Sequence, residues 1–191
     1  MREIIKLGLI LFIITFVAAA LLGFANEVTS DLIAQVQEQE NNKARQEILP
    51  SAESFEPLDE SEFNTIVSEN DKVIEVYIGK DSNNELVGYT VKTRASGYGG
   101  DIDIITGISV EGNITGMKVV SHSETPGLGA NAQKPEFQNQ FVGKSTSSKI
   151  TVVKTVPKDN EIQAISGATI TSNAVSNGVN MAIDVFNKLV K

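Results

Sequence analysis

The chain has 191 residues, enough for one domain of ordinary size with a buried core and an added segment. Its formal net charge is −8 and no basic stripe stands out, so a nucleic-acid partner is not expected. The absence of cysteine excludes disulfides and thiol chemistry. The single histidine, His122, excludes a metal site with two histidine ligands from this chain, and we expect no metal.

An apolar segment lies near the N-terminus. Residues 7–26, LGLILFIITFVAAALLGFAN, carry no charge, and about 20 apolar residues span a hydrocarbon core of ~30 Å as a helix. A cleaved signal peptide is the alternative, because Arg2 and Lys6 resemble its basic region and residues 18–20 are alanines. The apolar run exceeds the roughly 7–15 residues that are typical of a signal peptide. We therefore expect a retained transmembrane anchor over residues 1–26.

The charges on the two sides of this anchor predict its orientation. Arg2 and Lys6 precede it, whereas Glu27 and Asp31 are the nearest charges after it. Positively charged flanks stay preferentially in the cytoplasm. The sequence thus predicts a single-pass protein of the cell membrane, in contact with the lipid bilayer. Its N-terminus is expected in the cytoplasm and the main domain on the extracytoplasmic side.

A polar region, residues 27–70, is expected to follow the anchor. Residues 26–49 are rich in Gln, Glu, Asn and Ala, which indicates a weakly amphipathic helix that ends before Pro50. The next stretch, PSAESFEPLDESEF, has the composition of a turn-rich linker. We place the main domain at residues 71–191.

Alternation of apolar and polar residues begins at Lys72 and predicts successive strands. Four strands are expected at residues 72–79, 86–97, 101–110 and 113–123, and a fifth at 148–156. The short connections between the first four strands favour antiparallel pairing. Phe137 and Phe141 are spaced as in a short helix, and an apolar stripe predicts a longer helix from about Asn173. The predicted fold class is α+β, an antiparallel sheet with packed helices.

Two glycine-rich stretches lie near the third and fourth strands. SHSETPGLGANA, residues 121–132, contains a Pro-Gly turn, which explains its glycines without a ligand. Glycine also lets the backbone approach a ligand, and Leu128 beside Glu124 and Thr125 suits a flat heteroaromatic ring. The other stretch, ASGYGGDI at residues 95–102, is more consistent with a bulge or tight bend.

Asp101 and Asp103 share one strand face, and we interpret them as a solvated face rather than a cation site.

A further loop, AISGATITSNAV at residues 164–175, has five hydroxyl or amide side chains and no charge. One hydroxyl, of Thr171 or Ser172, suffices as a helix N-cap. A helix N-terminus also binds phosphate, and Gly167 permits close approach of the backbone. On the residues alone, a phosphate-bearing ligand and a plain cap stay equally open. The spacing is not that of a Walker loop, and we expect no general base near it.

Both loops carry a family resemblance. SGATIT, residues 166–171, is similar to the pattern of FMN-binding domains in which a threonine carries flavin, and HSETPGLGA occurs with it. The chain resembles the G subunits of the Rnf electron-transport complex and, more distantly, the C subunits of the sodium-pumping NADH:quinone oxidoreductase. The resemblance covers most of the chain, including the N-terminal span, GYGGDIDIITGIS and FQNQFVGKS.

The resemblance implies FMN attached covalently through its phosphate to the last threonine of the pattern, Thr171, by a separate flavin transferase. It assigns the phosphate loop to Ser166, Gly167, Ala168, Thr169 and Ser172, and the surroundings of the isoalloxazine ring to Glu124, Thr125, Gly127 and Leu128. No catalytic residue is implied, because the flavin supplies the redox chemistry and the protein supplies attachment and orientation.

The implied function is an electron relay through FMN in an ion-translocating ferredoxin:NAD oxidoreductase complex, with the other membrane and redox subunits as partners. Two alternatives stay open. One is a C-type subunit of a sodium-pumping NADH:quinone oxidoreductase. The other is a non-redox, membrane-tethered module that binds a phosphate ligand reversibly. We do not expect the chain to act alone as an enzyme.

Overall fold

The computed structural model describes residues 2–190, and the chain divides into two compact units, Met1–Glu40 and Asn41–Lys191. The helices are α1 (Arg2–Ile48), α2 (Glu60–Glu69), α3 (Pro135–Gln138) and α4 (Thr169–Leu189). The strands are β1 (Ser54–Pro57), β2 (Val73–Lys80), β3 (Leu86–Ser96), β4 (Asp101–Ser109), β5 (Ile114–Ser121), β6 (Thr151–Val153) and β7 (Glu161–Gln163). The sheet with its helices confirms the predicted α+β class.

The N-terminal unit is helical and exposes apolar side chains along its length. It belongs to α1, which is long and apolar enough to cross a membrane. The helix runs without interruption through the polar region and ends at Ile48, two residues before Pro50. Proline lacks the amide N–H that a continuing helix needs, which explains this end point.

The second unit is built on a five-stranded antiparallel sheet with the order β1-β2-β3-β4-β5. Four of its strands were predicted from the alternation of residues. The fifth predicted strand, residues 148–156, contains β6, which pairs in parallel with β7 in a separate two-stranded sheet. Ser176 and Asn180 of α4 donate hydrogen bonds to the Ile150 carbonyl and hold this segment beside the helix.

The strand that completes the main sheet lies in the stretch that we interpreted as a linker. Ser54–Pro57 pairs with β2 at the edge, and the Glu53 amide extends the ladder to the Lys80 carbonyl. An edge position tolerates Pro57, because one side of an edge strand needs no donor. The compact unit therefore takes in β1 and α2 and begins at residue 41, ahead of the boundary at 71 expected from the pattern.

The two faces of the main sheet pack against different helices. Helix α4 covers one face over a large apolar core, and Thr93 on β3 donates a hydrogen bond to the Gly178 carbonyl of α4. The last turns of α1 cover the other face, where Ala44 and Ile48 pack on Ile105. The approach is close, since a Cβ added at Gly116 would lie 3.0 Å from the Ile48 Cα.

A buried charge network fixes the end of α1 to the sheet. Arg45 is fully buried, pairs with Glu75 on β2 and lies with its guanidinium 3.8 Å from the centre of the Tyr77 ring. Lys92 on β3 approaches the other oxygen of Glu75 at 3.1 Å. Because both oxygens of this carboxylate are paired, the buried charges of Arg45 and Lys92 are compensated.

The segment between β5 and β6 positions the first glycine-rich loop. Phe137 on α3 and Phe141 contact each other edge to face, with ring centres 5.7 Å apart, and both are buried in the main core. This pair was predicted from the spacing. Helix α4 begins at Thr169, four residues before the predicted start at Asn173, so Thr171 lies in its first turn.

We expect the core contact of α4 to dominate the stability of the domain. Ile183 is 2% exposed in the core, whereas Ile170 on the same helix is 56% exposed. Ile183→Ala should lower the free energy of unfolding by about 2–5 kcal/mol, because it leaves a cavity. The matched variant Ile170→Ala should change it far less. Denaturant unfolding of the full-length protein in detergent measures both. Equal effects of the two variants would contradict the packing described here.

Candidate functional site

A cleft of about 460 Å³ lies where the loop after β5 meets the start of α4. The volume is within the roughly 300–1,000 Å³ that is usual for small-molecule sites. The cleft is lined by Tyr98, Glu124, Thr125, Leu128, Gly129, Gly167, Ala168, Thr169, Ile170 and Thr171. The structure thus brings the loops of residues 121–132 and 164–175 together at one site.

The two loops contact each other through a leucine and a glycine. Gly167 has a φ of +77°, and Gly127 before Leu128 has a φ of +78°. Both values are in the left-handed region, which glycine adopts without strain. A Cβ added at Gly167 would lie 3.2 Å from Cδ2 of Leu128. The leucine therefore packs against the loop that precedes α4.

A hydrogen bond connects the same loops deeper in the cleft. The Thr171 hydroxyl donates to Oε2 of Glu124 at 2.7 Å, and these residues are 1% and 6% exposed. The other carboxylate oxygen, Oε1, accepts from the backbone amides of Tyr98 and Gly99 at 2.8 and 3.0 Å. Glu124 therefore joins three loops, those at residues 97–100, 121–128 and 164–171.

Two glycines, Gly97 and Gly129, leave room for the Glu124 carboxylate. A Cβ added at Gly129 would lie 2.2 Å from Oε2 of Glu124 and 2.8 Å from Oγ1 of Thr171. A Cβ added at Gly97 would lie 2.2 Å from Oε1 of Glu124. A larger residue at either position would collide with the carboxylate, so these glycines allow the pair to form.

The environment keeps Glu124 ionised. Burial raises the pKa of its carboxyl group, but hydrogen bonds from the Gly99 amide, the Thr171 hydroxyl and the Tyr98 amide, together with the nearby His122, lower it overall. The pKa therefore lies below its ordinary value of 4.5, so the group is a carboxylate at neutral pH. We expected no general base near the motif, but the structure places the carboxylate of Glu124, 47 residues away in sequence, against the Thr171 hydroxyl.

The interpretation of the Thr171 loop as a plain N-cap does not fit the structure. Helix α4 has Ala168 at its N-cap and no capping side chain. The Thr171 hydroxyl is bonded to Glu124, and Ser172 donates to the Ala168 carbonyl while it accepts from the Ile165 amide. The first amides of the helix, which have no partner within it, belong to residues that line the cleft.

The predicted site residues divide into two groups. Seven of them line the cleft, namely Glu124, Thr125, Leu128, Gly167, Ala168, Thr169 and Thr171. Ser172 is buried behind the loop and braces it, Gly127 lies in the turn before Leu128, and Ser166 is exposed.

Sequence reasoning missed Tyr98 and Ile170 as cleft residues and the contact of Gly129 with the Glu124–Thr171 pair. The glycine cluster around Tyr98 was the available signal, and we had interpreted it as a bend.

The remaining polar candidates have structural partners. Asp103 accepts two hydrogen bonds from Arg94, at 2.7 and 2.8 Å, and Ser96 donates to Asp101 at 3.2 Å. Among residues 2–190 no cluster of acidic or histidine side chains could hold a metal ion. Nδ1 of His122, just after β5, accepts a hydrogen bond from the Glu124 amide at 3.1 Å and so helps to shape the loop.

Comparison with known proteins assigns the class and then the family. The FMN-binding domain family matches residues 97–184, and the RnfG N-terminal region matches residues 1–48. The G subunit of the Na(+)-translocating ferredoxin:NAD(+) oxidoreductase complex of Acetobacterium woodii is 49% identical over 100% of this chain and 95% of its own length. The G subunit of the ion-translocating oxidoreductase complex of Methanosarcina acetivorans is 38% identical over 96% and 94%. The chain therefore belongs to the family of G subunits of Rnf complexes.

A solved structure supports the fold. The crystal structure of Shewanella oneidensis NqrC superimposes with a TM-score of 0.55 at 24% sequence identity, over 60% of each chain. This likeness concerns the fold alone, whereas the full-length identity assigns the chain to the G subunits.

Proposed function

We propose that the chain is a membrane-anchored flavoprotein subunit that relays electrons through FMN, covalently attached at Thr171, within an ion-translocating ferredoxin:NAD oxidoreductase complex. The observation that carries the proposal is the position of Thr171. Its hydroxyl lies in a cleft of small-molecule size, in the first turn of a helix whose N-terminus no side chain caps.

The residues of the cleft fit the two ends of FMN. Free amides at the start of α4 and its partial positive charge favour a phosphate, and Gly167 lets the backbone come close to it. Thr125, Leu128 and the exposed Tyr98 give the other part of the cleft the apolar and aromatic surface that a flavin ring prefers. Bound FMN would supply the electron chemistry, and these residues would hold and orient it.

The attachment uses the hydroxyl of Thr171 as the nucleophile toward the flavin phosphate, with a separate flavin transferase as the maturation partner. Ser166 to Thr169 would form the surface around the phosphate. Ser172 supports this loop from behind, because its hydrogen bonds connect Ile165 and Ala168 to α4.

We assign residues 1–26 to the membrane anchor and the compact unit that begins at residue 41 to the flavin domain. The region 27–70, expected as juxtamembrane helix and connection, therefore contributes β1 and α2 to that domain. The other membrane and redox subunits of the complex and the bilayer are the proposed partners. The N-terminus would be cytoplasmic and the flavin domain extracytoplasmic, as the basic residues before the apolar helix indicate.

The first prediction concerns the attachment residue. Thr171→Ala should remove covalent flavin completely, because it removes the nucleophile, whereas Thr171→Ser should keep it. In the alanine variant Glu124 loses one hydrogen-bond donor, which should lower the free energy of unfolding by about 1–3 kcal/mol. A melting curve should therefore still show a folded domain. Intact-protein mass spectrometry and ultraviolet fluorescence of a denaturing gel measure the flavin. FMN mass on the alanine variant would contradict the assignment, and an unmodified parent would favour reversible binding.

The second prediction concerns orientation. A reporter fused to the C-terminus should be active only if it works outside the cytoplasm, because a single span with a cytoplasmic N-terminus places the domain on the other side. A reporter of the opposite requirement serves as the control. Activity of the cytoplasmic reporter alone would reverse the proposed topology.

The third prediction concerns the ring end of the cleft. Leu128→Ala should leave FMN attached but shift its absorption spectrum toward that of flavin in water and lower electron flow, because Leu128 shields the ring. The matched control is Leu86→Ala at the start of β3, outside the cleft, since the two leucines are 46% and 42% exposed. Flavin content, visible spectrum and turnover of the complex should be compared. An unchanged spectrum and turnover at full flavin content would show that the ring lies elsewhere.

A further inference from the structure

The position of Glu124 has a consequence for the modification of Thr171. Oε2 of the carboxylate is 2.7 Å from the Thr171 hydroxyl oxygen and accepts its proton in a hydrogen bond. Oε1 is held by two backbone amides, so the carboxylate cannot turn away without losing both. The pair is buried beneath Gly129, at a cleft wide enough to admit a ligand.

We propose that Glu124 is the general base for the attachment of flavin to Thr171. This inference rests on the proposed covalent attachment and deepens it, since it assigns to this chain one part of the catalytic machinery of its own modification. The transferase would supply the bound donor and the charges that stabilise the transferred phosphoryl group.

The chemistry is a phosphoryl transfer from an activated flavin phosphate. FMN itself has a monophosphate, so the donor must be a flavin phosphoanhydride, of which a flavin adenine dinucleotide is the simplest. Thr171 Oγ1 forms a bond to the phosphorus next to the riboflavin moiety. The bond from that phosphorus to the bridging oxygen breaks, and adenylate leaves with the electron pair. The hydroxyl proton passes to Oε2 of Glu124 and from there to water.

A carboxylate in this position has the chemistry that hydroxyl phosphorylation uses. In protein kinases an aspartate accepts the proton of the substrate hydroxyl while positioning it for attack. The hydrogen bonds to Glu124 keep it in the ionised form that can accept a proton at neutral pH. A threonine hydroxyl is a weak nucleophile until an adjacent base activates it, and among the described residues Glu124 is the carboxylate bonded to this hydroxyl.

The test measures flavin transfer to full-length protein in detergent, produced without the transferase. Purified flavin transferase and flavin adenine dinucleotide are added, and intact mass is followed with time at several concentrations of the acceptor. Glu124→Gln keeps the shape and the acceptor for the Tyr98 and Gly99 amides but removes the base. Its kcat for transfer should fall about 10²–10⁴-fold, with the KM for the acceptor within threefold of the parent. Glu136→Gln, an exposed glutamate on α3, is the matched control and should be unchanged.

Glu124→Asp distinguishes the base from a structural role. It retains a carboxylate on a shorter side chain and should recover part of the rate that Glu124→Gln loses. A Glu124→Gln rate within threefold of the parent would overturn the role of base. The role of base would also be overturned if Glu124→Gln and Glu124→Asp lost transfer activity equally, through a higher KM for the acceptor and with a lower melting temperature. If the parent protein gains no flavin, the proposed attachment fails as well, so the two failures are distinguishable.

Discussion

The hydrogen bond from Thr171 to Glu124 is the contact on which the arrangement of the site depends. It connects residues 47 positions apart in sequence, one at the end of the sheet and one at the start of α4. Through its second oxygen, Glu124 also holds the amides of Tyr98 and Gly99. One buried carboxylate therefore connects three loops that are distant in sequence. A charge-assisted bond of this kind is stronger than one between neutral groups.

The main sheet, from which these loops extend, is covered by a helix on each face. Helix α4 lies on one face. Its core contacts fix the position of its first turn, which contains Thr171. The last turns of α1 lie on the opposite face, where Arg45 and Lys92 share the carboxylate of Glu75. A large apolar core covers the first face, whereas the second combines an apolar contact with a compensated charge network.

Much of this fold and of the candidate site could be predicted from the sequence. Alternating residues predicted β2 to β5, because successive side chains of a strand point to opposite faces of the sheet and give a period of two. The loops of Leu128 and Thr171 were both recognised from their glycine and hydroxyl content. Their meeting in one cleft was implied only by the family resemblance, since local patterns contain no information on how distant loops pack.

The errors have a common physical origin. The strand at Ser54–Pro57 is short, polar and at the sheet edge, so it has no alternation to detect. The segment at Thr151–Val153 has strand-forming residues, but its pairing was decided by tertiary contacts with α4. The family resemblance placed Glu124 near the ring of the ligand, and no local pattern indicated that its carboxylate is buried against Thr171. Its burial depends on glycines at positions 97 and 129, which leave the space that the carboxylate occupies.

The buried carboxylate also changes the electrostatic account of attachment. An uncharged loop at Thr171 suits a phosphodiester, yet Glu124 lies in contact with the very oxygen that would be esterified. An ester oxygen cannot donate, so Oε2 would lose its donor and face a second negative charge. Both changes would disfavour the carboxylate form of Glu124 after attachment. The amides of Tyr98 and Gly99 at Oε1 and the partial positive charge of the α4 N-terminus oppose this repulsion. In the proposed mechanism, the side chain that accepts the threonine proton would thus lie beside the phosphodiester after attachment, where these backbone amides and the helix N-terminus would offset its charge.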